Sequence, residues 1–229
     1  MRTNHRGHGR PFVRRLRPSD RCHVRRLCCA TGLLGRPINQ VFTDTELFAD
    51  VFTSYYTDQE PQSAFVVEHD GAIVGYALAC ADQRKWRRYM LRKLMPYLLL
   101  KGTWRYLTRY RPRDRGWVRA VLLDALTTVG PPSPRSAHLH IDLREGYRGT
   151  GIGKELINTL FDALRQQGIS DIHGGVWSFD RHRTVHLFRR LGFEICHCRS
   201  SAIFGRMLDQ PVYALELKRD LASPDWRIA

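Results

Sequence analysis

From Ala137 to Leu143 the chain alternates apolar Ala137, Leu139, Ile141 and Leu143 with polar His138, His140 and Asp142. That two-residue period predicts a half-buried strand. A short polar link follows. Then Ile152, Leu156, Ile157, Leu160, Phe161 and Leu164 recur at the spacing of one helix face, and Gly168 supplies a stop. A first strand is predicted over 11–16, ending at Arg17-Pro18-Ser19-Asp20, where Ser19 or Asp20 caps a helix. Two more strands, over 64–69 and 72–79, are joined by a tight Asp70-Gly71 turn. Beyond the long helix come a strand over 171–178, a short helix over 183–191, a strand over 194–199 and a last strand over 211–217.

Residues 82–136 break this order as an insertion. Trp86, Tyr89, Met90, Leu94, Tyr97 and Leu98 predict an amphipathic helix, kinked or restarted at Pro96. Trp104, Leu107 and Tyr110 predict a second, short one. Val118, Val121, Leu122, Ala125 and Leu126 predict a third, before the loop Gly130-Pro131-Pro132-Ser133-Pro134. Residues 1–10 hold no large apolar side chain except Met1, which predicts a disordered basic tail. The stretch 11–229 fits one domain, since 229 residues with 43% apolar content supply a full core.

Charge changes how the insertion is read. The net charge is +15, yet residues 1–27 carry nine Arg against one acid (+8), and residues 82–119 carry thirteen Lys and Arg against two Asp (+11). The rest of the chain is left with −4. Basicity thus belongs to two additions on a mildly acidic core. Interleaved aromatic and basic residues in the insertion leave three readings open. They are a helical flap with its aromatics on the core, a lid over a substrate cleft, and a contact with a polyanion or a membrane surface. Six cysteines show no disulfide framework, and Cys196-His197-Cys198 lacks a second ligand pair. Free thiols in a reducing cytoplasm and no bound metal are expected. Apolar runs such as Tyr97 to Leu100 are far too short to span a bilayer, and the Arg-rich start has no apolar signal core.

Between the central strand and the long helix lies Arg148-Gly149-Thr150-Gly151-Ile152-Gly153. Glycines at a helix entrance let backbone N–H groups face outward, where the helix dipole adds positive potential. Such a loop cradles a phosphate or pyrophosphate. A Walker loop is excluded because Lys154 is followed by Glu155, and the glycine spacing is wrong for a Rossmann fingerprint. A glycine turn without a ligand stays open on this motif alone.

The pattern Arg-x-x-Gly-x-Gly between a strand and a helix resembles the first signature of the GNAT superfamily of acyl-CoA-dependent N-acyltransferases. Leu187-Phe188-Arg189-Arg190-Leu191-Gly192-Phe193 is similar to its second signature, and the order of elements over 11–218 is similar too. Ser54-Tyr55-Tyr56-Thr57, Phe65-Val66-Val67-Glu68 and Gly75-Tyr76-Ala77-Leu78 resemble the subgroup containing the acetyltransferase-like C-terminal domain of O-GlcNAcase. The resemblance implies an α/β fold with a mixed, mostly antiparallel, twisted sheet of six or seven strands. That sheet would be splayed between its fourth and fifth strands and flanked by helices, with the basic helical insertion added. It implies acetyl-CoA as co-substrate, its pantetheine arm lying along Ile141, Asp142 and Leu143 like an added strand. Its pyrophosphate would sit on Arg148, Gly149, Thr150, Gly151, Ile152, Gly153 and Lys154, with Gly151 and Gly153 leaving room for phosphate oxygens.

The implied chemistry is attack of a neutral amine on a thioester, which needs a base, oxyanion donors and an acid for the leaving thiolate. The N–H near Leu143 is the oxyanion donor by this resemblance. The family's usual acid is a Tyr where this chain has Phe188, and the Asn often found seven residues earlier is Arg181. Phenylalanine has no proton to donate. Asp142 is the first candidate base, with a strand-end carboxylate bonded to neighbouring backbone as the alternative. His140 is the second, able to titrate near neutrality, and His138, His173 and Asp180 follow. Tyr55, Tyr56 and Trp177 either line an acceptor cleft or pack in the core. Two functions from different classes follow. One is an N-acetyltransferase acting on an unidentified amine of a small molecule or protein. The other is an acetyl-CoA-binding module without turnover, motivated by Phe188. An anionic partner held through 1–27 and 82–119, and a homodimer, are further expectations.

Overall fold

The computed structural model describes residues 9–127, 136–223 and 228. The tail over 1–8, the loop over 130–134 and the side chains of Ala125 and Leu126 lie outside the described residues. The strands are β1 (Phe12–Arg15), β2 (Ala64–His69), β3 (Ala72–Cys80), β4 (Ala137–Leu143), β5 (Asp171–Ser178), β6 (Glu194–Ser200) and β7 (Tyr213–Asp220). They form one sheet in the order β1-β2-β3-β4-β5-β7-β6, antiparallel throughout except for β4 beside β5. This is the mixed sheet that the sequence implied. The β2–β3 turn puts Asp70 at φ 49° and Gly71 at φ 76°, the two positive values that a two-residue hairpin loop of this twist requires.

Alternation along β3 from Tyr76 to Cys80 divides the core between the two faces of the sheet, and the register shift opposite Val67 and Glu68 moves Val74 to the face of Ala77 and Ala79. Tyr76, Leu78 and Cys80 pack toward α1 (Arg21–Thr31), α2 (Thr45–Gln59) and the insertion. Val74, Ala77 and Ala79 pack toward α7 (Ile152–Gln166), whose six predicted apolar residues are all buried. That helix ends as its sequence predicts. The Ile169 N–H reaches Leu164 O and the Gly168 N–H reaches Arg165 O, with Gly168 at φ 77°, the paired bonds of a Schellman stop.

Two local expectations are corrected. Asp20 stands at the N-cap of α1 but makes no capping bond with its side chain, and Ser19 does not cap that helix either. The Asp20 carboxylate is buried, accepting from the Arg14 guanidinium at 2.6 Å and the Arg17 N–H at 2.7 Å. A guanidinium within reach outcompetes the weaker bond to a helix N–H. The insertion is also less divided than its pattern suggested. Residues 83–108 form one helical run: α3 (Gln83–Tyr89), a π turn over 90–94, α4 (Met95–Tyr97), a π turn over 98–102 and α5 (Thr103–Thr108). Pro96 lies inside this run. The wide turns on either side accommodate the hydrogen bond that a proline cannot donate. Then α6 (Pro112–Thr127) follows.

The insertion packs on α2 through its aromatic face, with Trp86, Tyr89, Tyr97, Leu98 and Tyr106 against that core. Asp44, the N-cap of α2, accepts from the Leu47 N–H at 3.1 Å, from Arg105 at 2.6 Å and from the Tyr110 hydroxyl at 2.6 Å. Arg105 also reaches Glu46, as does Lys101. The remaining helices, α8 (Arg181–Arg190) and α9 (Ala202–Leu208), flank β6 in the chain.

Candidate active site

β4 and β5 pair only at Ala137 with Ile172 and His138 with His173, and then part, while β5 stays paired with β7 along its whole length. Past His138, β4 keeps β3 on one side and has no strand on the other. The Arg144 N–H donates to Val74 O on β3 at 2.9 Å. Alternation along a strand therefore points the peptide groups of His140 and Asp142 toward β3, and those of Leu139, Ile141 and Leu143 into the gap. An extended chain entering the gap meets unpaired donors and acceptors there, as a sheet edge offers them.

The glycine loop closes the end of this gap. A 3-10 turn over Glu145–Tyr147 takes the chain from β4 to the loop. The Arg148 N–H donates to Glu145 O at 3.0 Å, so it belongs to that turn and not to an anion seat. Gly149 and Gly151 adopt φ 80° and 90°, and a β-carbon built on either meets no atom within 4 Å. The loop thus faces open space where a side chain would stand, as a phosphate cradle must. Helix α7 starts at Ile152. Gly151 O already holds the Lys154 and Glu155 N–H groups, which leaves the earlier N–H groups of the first turn without intrahelical acceptors. A β-carbon on Gly153 would lie 3.5 Å from a Leu143 methyl, an ordinary van der Waals contact, so the packing of α7 on β4 does not itself demand a glycine there.

Arg148 folds back. Its Nε donates to Leu143 O at 2.9 Å, and its guanidinium lies so close to Gly35 that a β-carbon there would stand 2.9 Å away. Thr150 donates to Tyr147 O. A cleft of about 730 Å³ opens beside the loop, lined among others by Thr150, Gly151, Ile152, Lys154 and Asn158. The residues fit a bound pyrophosphate: outward N–H groups, room at two glycines and the Lys154 cation, with the Arg148 guanidinium turned toward Leu143 O.

On the other face of β4, α2 roofs the even-numbered side chains. Phe52 lies over His140 with ring centroids 5.6 Å apart, and Tyr76 flanks the same imidazole at 5.5 Å. The Asp142 carboxylate accepts from the Tyr76 hydroxyl at 2.6 Å, and the same oxygen lies 3.8 Å from His140 Nε2. Burial beside that carboxylate pushes the Tyr76 hydroxyl well above its ordinary pKa, so it stays protonated and donates. Burial also pushes His140 below 6.5, against the pull of Asp142 and the Phe52 backbone. Desolvation thus favours the neutral imidazole at this position.

The other candidates are engaged structurally. His138 takes a hydrogen bond from Gln83 at Nδ1 (2.7 Å) and reaches the Tyr56 hydroxyl through Nε2 (2.8 Å). Burial, with His173 and His140 nearby, lowers it to about 3. His173 bonds Ser136 and is lowered by burial to about 4. Asp180 caps α8 by accepting the Arg183 N–H at 2.9 Å. Tyr55 is buried, donating to Glu60 at 2.7 Å, and Trp177 packs on Phe204 at 4.4 Å. Both belong to the core, as does Tyr56, which is buried in the same cluster. Phe188 packs edge-on against Phe193 at 5.7 Å. Sequence reasoning did not single out Phe52, Tyr76 as a partner of Asp142, or Gln83. Tyr76 was the most legible of the three, being the one hydroxyl in an otherwise apolar strand.

A sheet opened between two parallel strands, with a glycine-lined helix entrance at the mouth of the opening, is the architecture of the acyl-CoA-dependent acyltransferases. Residues 36–193 match the model of the acetyltransferase (GNAT) family, and the chain belongs to that family, whose co-substrate is acetyl-CoA. The crystal structure of SsHAT is 29% identical, with a TM-score of 0.69 over 93% of this chain and 99% of its own. An N-acetyltransferase from Staphylococcus aureus Mu50 is 13% identical, with a TM-score of 0.53 over 93% of this chain and 99% of its own. The protein yncA from Salmonella typhimurium, solved with its cofactor acetyl-CoA, is 15% identical, with a TM-score of 0.53 over 94% of this chain and 98% of its own. The last two likenesses are of fold. Among the described residues no helix is long and apolar enough to cross a membrane.

Proposed function

We propose that this chain transfers the acetyl group of acetyl-CoA to an amine at the mouth of the β4–β5 opening, on the α2 side of β4. The observation that carries the reading is the Asp142–Tyr76–His140 cluster at the end of β4, two residues from the glycine loop's leading turn. In this reading the peptide edge of Ile141 and Leu143 aligns the pantetheine arm, and the N–H groups of Gly149 to Gly153, with Arg148 and Lys154, hold the pyrophosphate. Asp142 removes the ammonium proton, directly or through a water, while the Tyr76 hydroxyl fixes the carboxylate in place. The amine nitrogen bonds to the carbonyl carbon and the carbon–sulfur bond breaks. The Leu143 N–H faces the oxyanion, and the departing thiolate takes up a proton. Neutral His140, under Phe52, lines the path of the acceptor. The three short runs of likeness near residues 54, 65 and 75 support a place close to the O-GlcNAcase-type subgroup. Six free thiols support a reducing cytoplasm.

Release of free CoA, measured with a panel of polyamines, aminoglycosides, amino acids and lysine peptides beside a calorimetric titration of acetyl-CoA, tests the reading. Turnover of at least one acceptor, lost in Asp142→Asn with acetyl-CoA affinity kept, is expected. Tight binding with no turnover of any acceptor would favour the second reading, a module that binds acetyl-CoA without transferring it. Phe188, whose ring is committed to Phe193, motivates that alternative.

A further inference from the structure

The helical run 83–108 is amphipathic in an unusual sense: both of its faces are apolar. Its inner face packs on α2. Its outer face leaves Leu91 63%, Leu99 66%, Leu100 77%, Trp104 63% and Leu107 66% exposed, with Met95 beside them. At 1.5 Å per residue, Leu91 to Leu107 is a stripe of roughly 24 Å. A contiguous apolar surface of this kind on a folded chain marks a contact. Arginines bound the stripe at both ends: exposed Arg84, Arg87, Arg88 and Arg92 before and within its start, Arg109, Arg111 and Arg113 after it. From Gln83 to Arg113 the chain has eleven Lys and Arg and no Asp or Glu.

We infer that this outer face is a docking surface for an anionic lipid bilayer, lying in the plane of the headgroups. Leucines and a tryptophan enter the boundary of the acyl region while the flanking arginines meet lipid phosphates. Each alternative occupant conflicts with part of the pattern. A nucleic acid or other soluble polyanion would use the arginines and leave five large apolar side chains in water. A second copy would bring two acid-free, strongly basic faces together. A bilayer satisfies both halves of the surface. The mode is interfacial, since no helix among the described residues can span a membrane.

Flotation of the full chain with vesicles of phosphatidylcholine, with and without roughly a third phosphatidylglycerol, tests the inference. Binding to the anionic vesicles, weak binding to the neutral ones, and a blue-shifted emission that Trp104→Phe removes are expected. The triple variant Leu99→Gln, Leu100→Gln, Leu107→Gln should bind about tenfold more weakly or worse, with its melting temperature unchanged because these side chains touch solvent. Arg87→Gln with Arg88→Gln should weaken binding and flatten its salt dependence. Vesicle binding that survives the leucine variant, retention on heparin without any vesicle binding, or a dimer in sedimentation that the leucine variant dissolves without vesicle binding would each overturn it.

Discussion

Gly151 offers the sharpest test of the cofactor seat, because backbone strain and lost binding can be separated there. At φ 90° an alanine pays for the left-handed region, about 1–2 kcal/mol. A chain of this length loses roughly 2–4 °C of melting temperature per kcal/mol, so Gly151→Ala should melt about 2–8 °C lower. The new methyl meets no protein atom within 4 Å, so no clash adds to that figure. In the proposed complex it would stand where a phosphate oxygen approaches the loop. Displacing one charge-assisted hydrogen bond costs about 1.5–3 kcal/mol, which is roughly ten- to a hundredfold in acetyl-CoA affinity. Gly71 is the matched control. It has φ 76° and equally open surroundings, but lies in the β2–β3 turn. Gly71→Ala should show the same melting shift with unchanged acetyl-CoA titration. If Gly151→Ala titrates like the wild type while melting like the Gly71 variant, the loop does not seat the pyrophosphate.

Other expectations follow from the same geometry. Asp142→Asn should lower kcat by about 10²–10⁴ if the carboxylate is the base, and Tyr76→Phe by less, with KM for acetyl-CoA little changed in both; wild-type CoA release from Asp142→Asn would reassign the base. Glu60 is 2% exposed and accepts from Tyr55 and the Ala81 N–H, so Glu60→Leu strands both donors and should cost about 2–4 kcal/mol in urea unfolding. Burial depresses His138 to about 3 and His173 to about 4. Between those values and about 6.5 the unfolded chain binds protons that the native one does not, so stability falls as pH drops, by at most about 1.4 kcal/mol per pH unit for each imidazole. Melting curves from pH 7.5 to 5 should show this slope and His138→Gln should flatten it; an unchanged slope in that variant would clear His138 of responsibility.

The central strand, the helix behind it and the hairpin over 64–80 were legible because each has one covered face and a decisive punctuation: Gly168, or Asp70-Gly71. The position of the glycine loop at the entrance to α7 was legible for the same reason. The insertion misled because Pro96 reads as a break, whereas π turns absorb it in one run. The roles of Asp20 and Arg14 were illegible because they depend on a partner that only the fold supplies. His140 is the instructive case. Its alternation with Leu139 and Ile141 predicted the face it occupies. The face proved to be roofed by α2, and desolvation, which no local pattern reports, lowers its pKa.

Asp44 joins two parts of the molecule that the sequence keeps sixty residues apart. One carboxylate starts α2 and anchors Arg105 and Tyr110 of the insertion, and so ties the helix over His140 to the basic outer helix. The same α2 carries Phe52 over His140 and Tyr56 onto His138. On the proposed bilayer contact and the proposed acceptor site, a surface that shifted the insertion would change affinity for the acceptor, and the acceptor would change affinity for the surface by the same factor. Asp44→Ala is the substitution that would uncouple them.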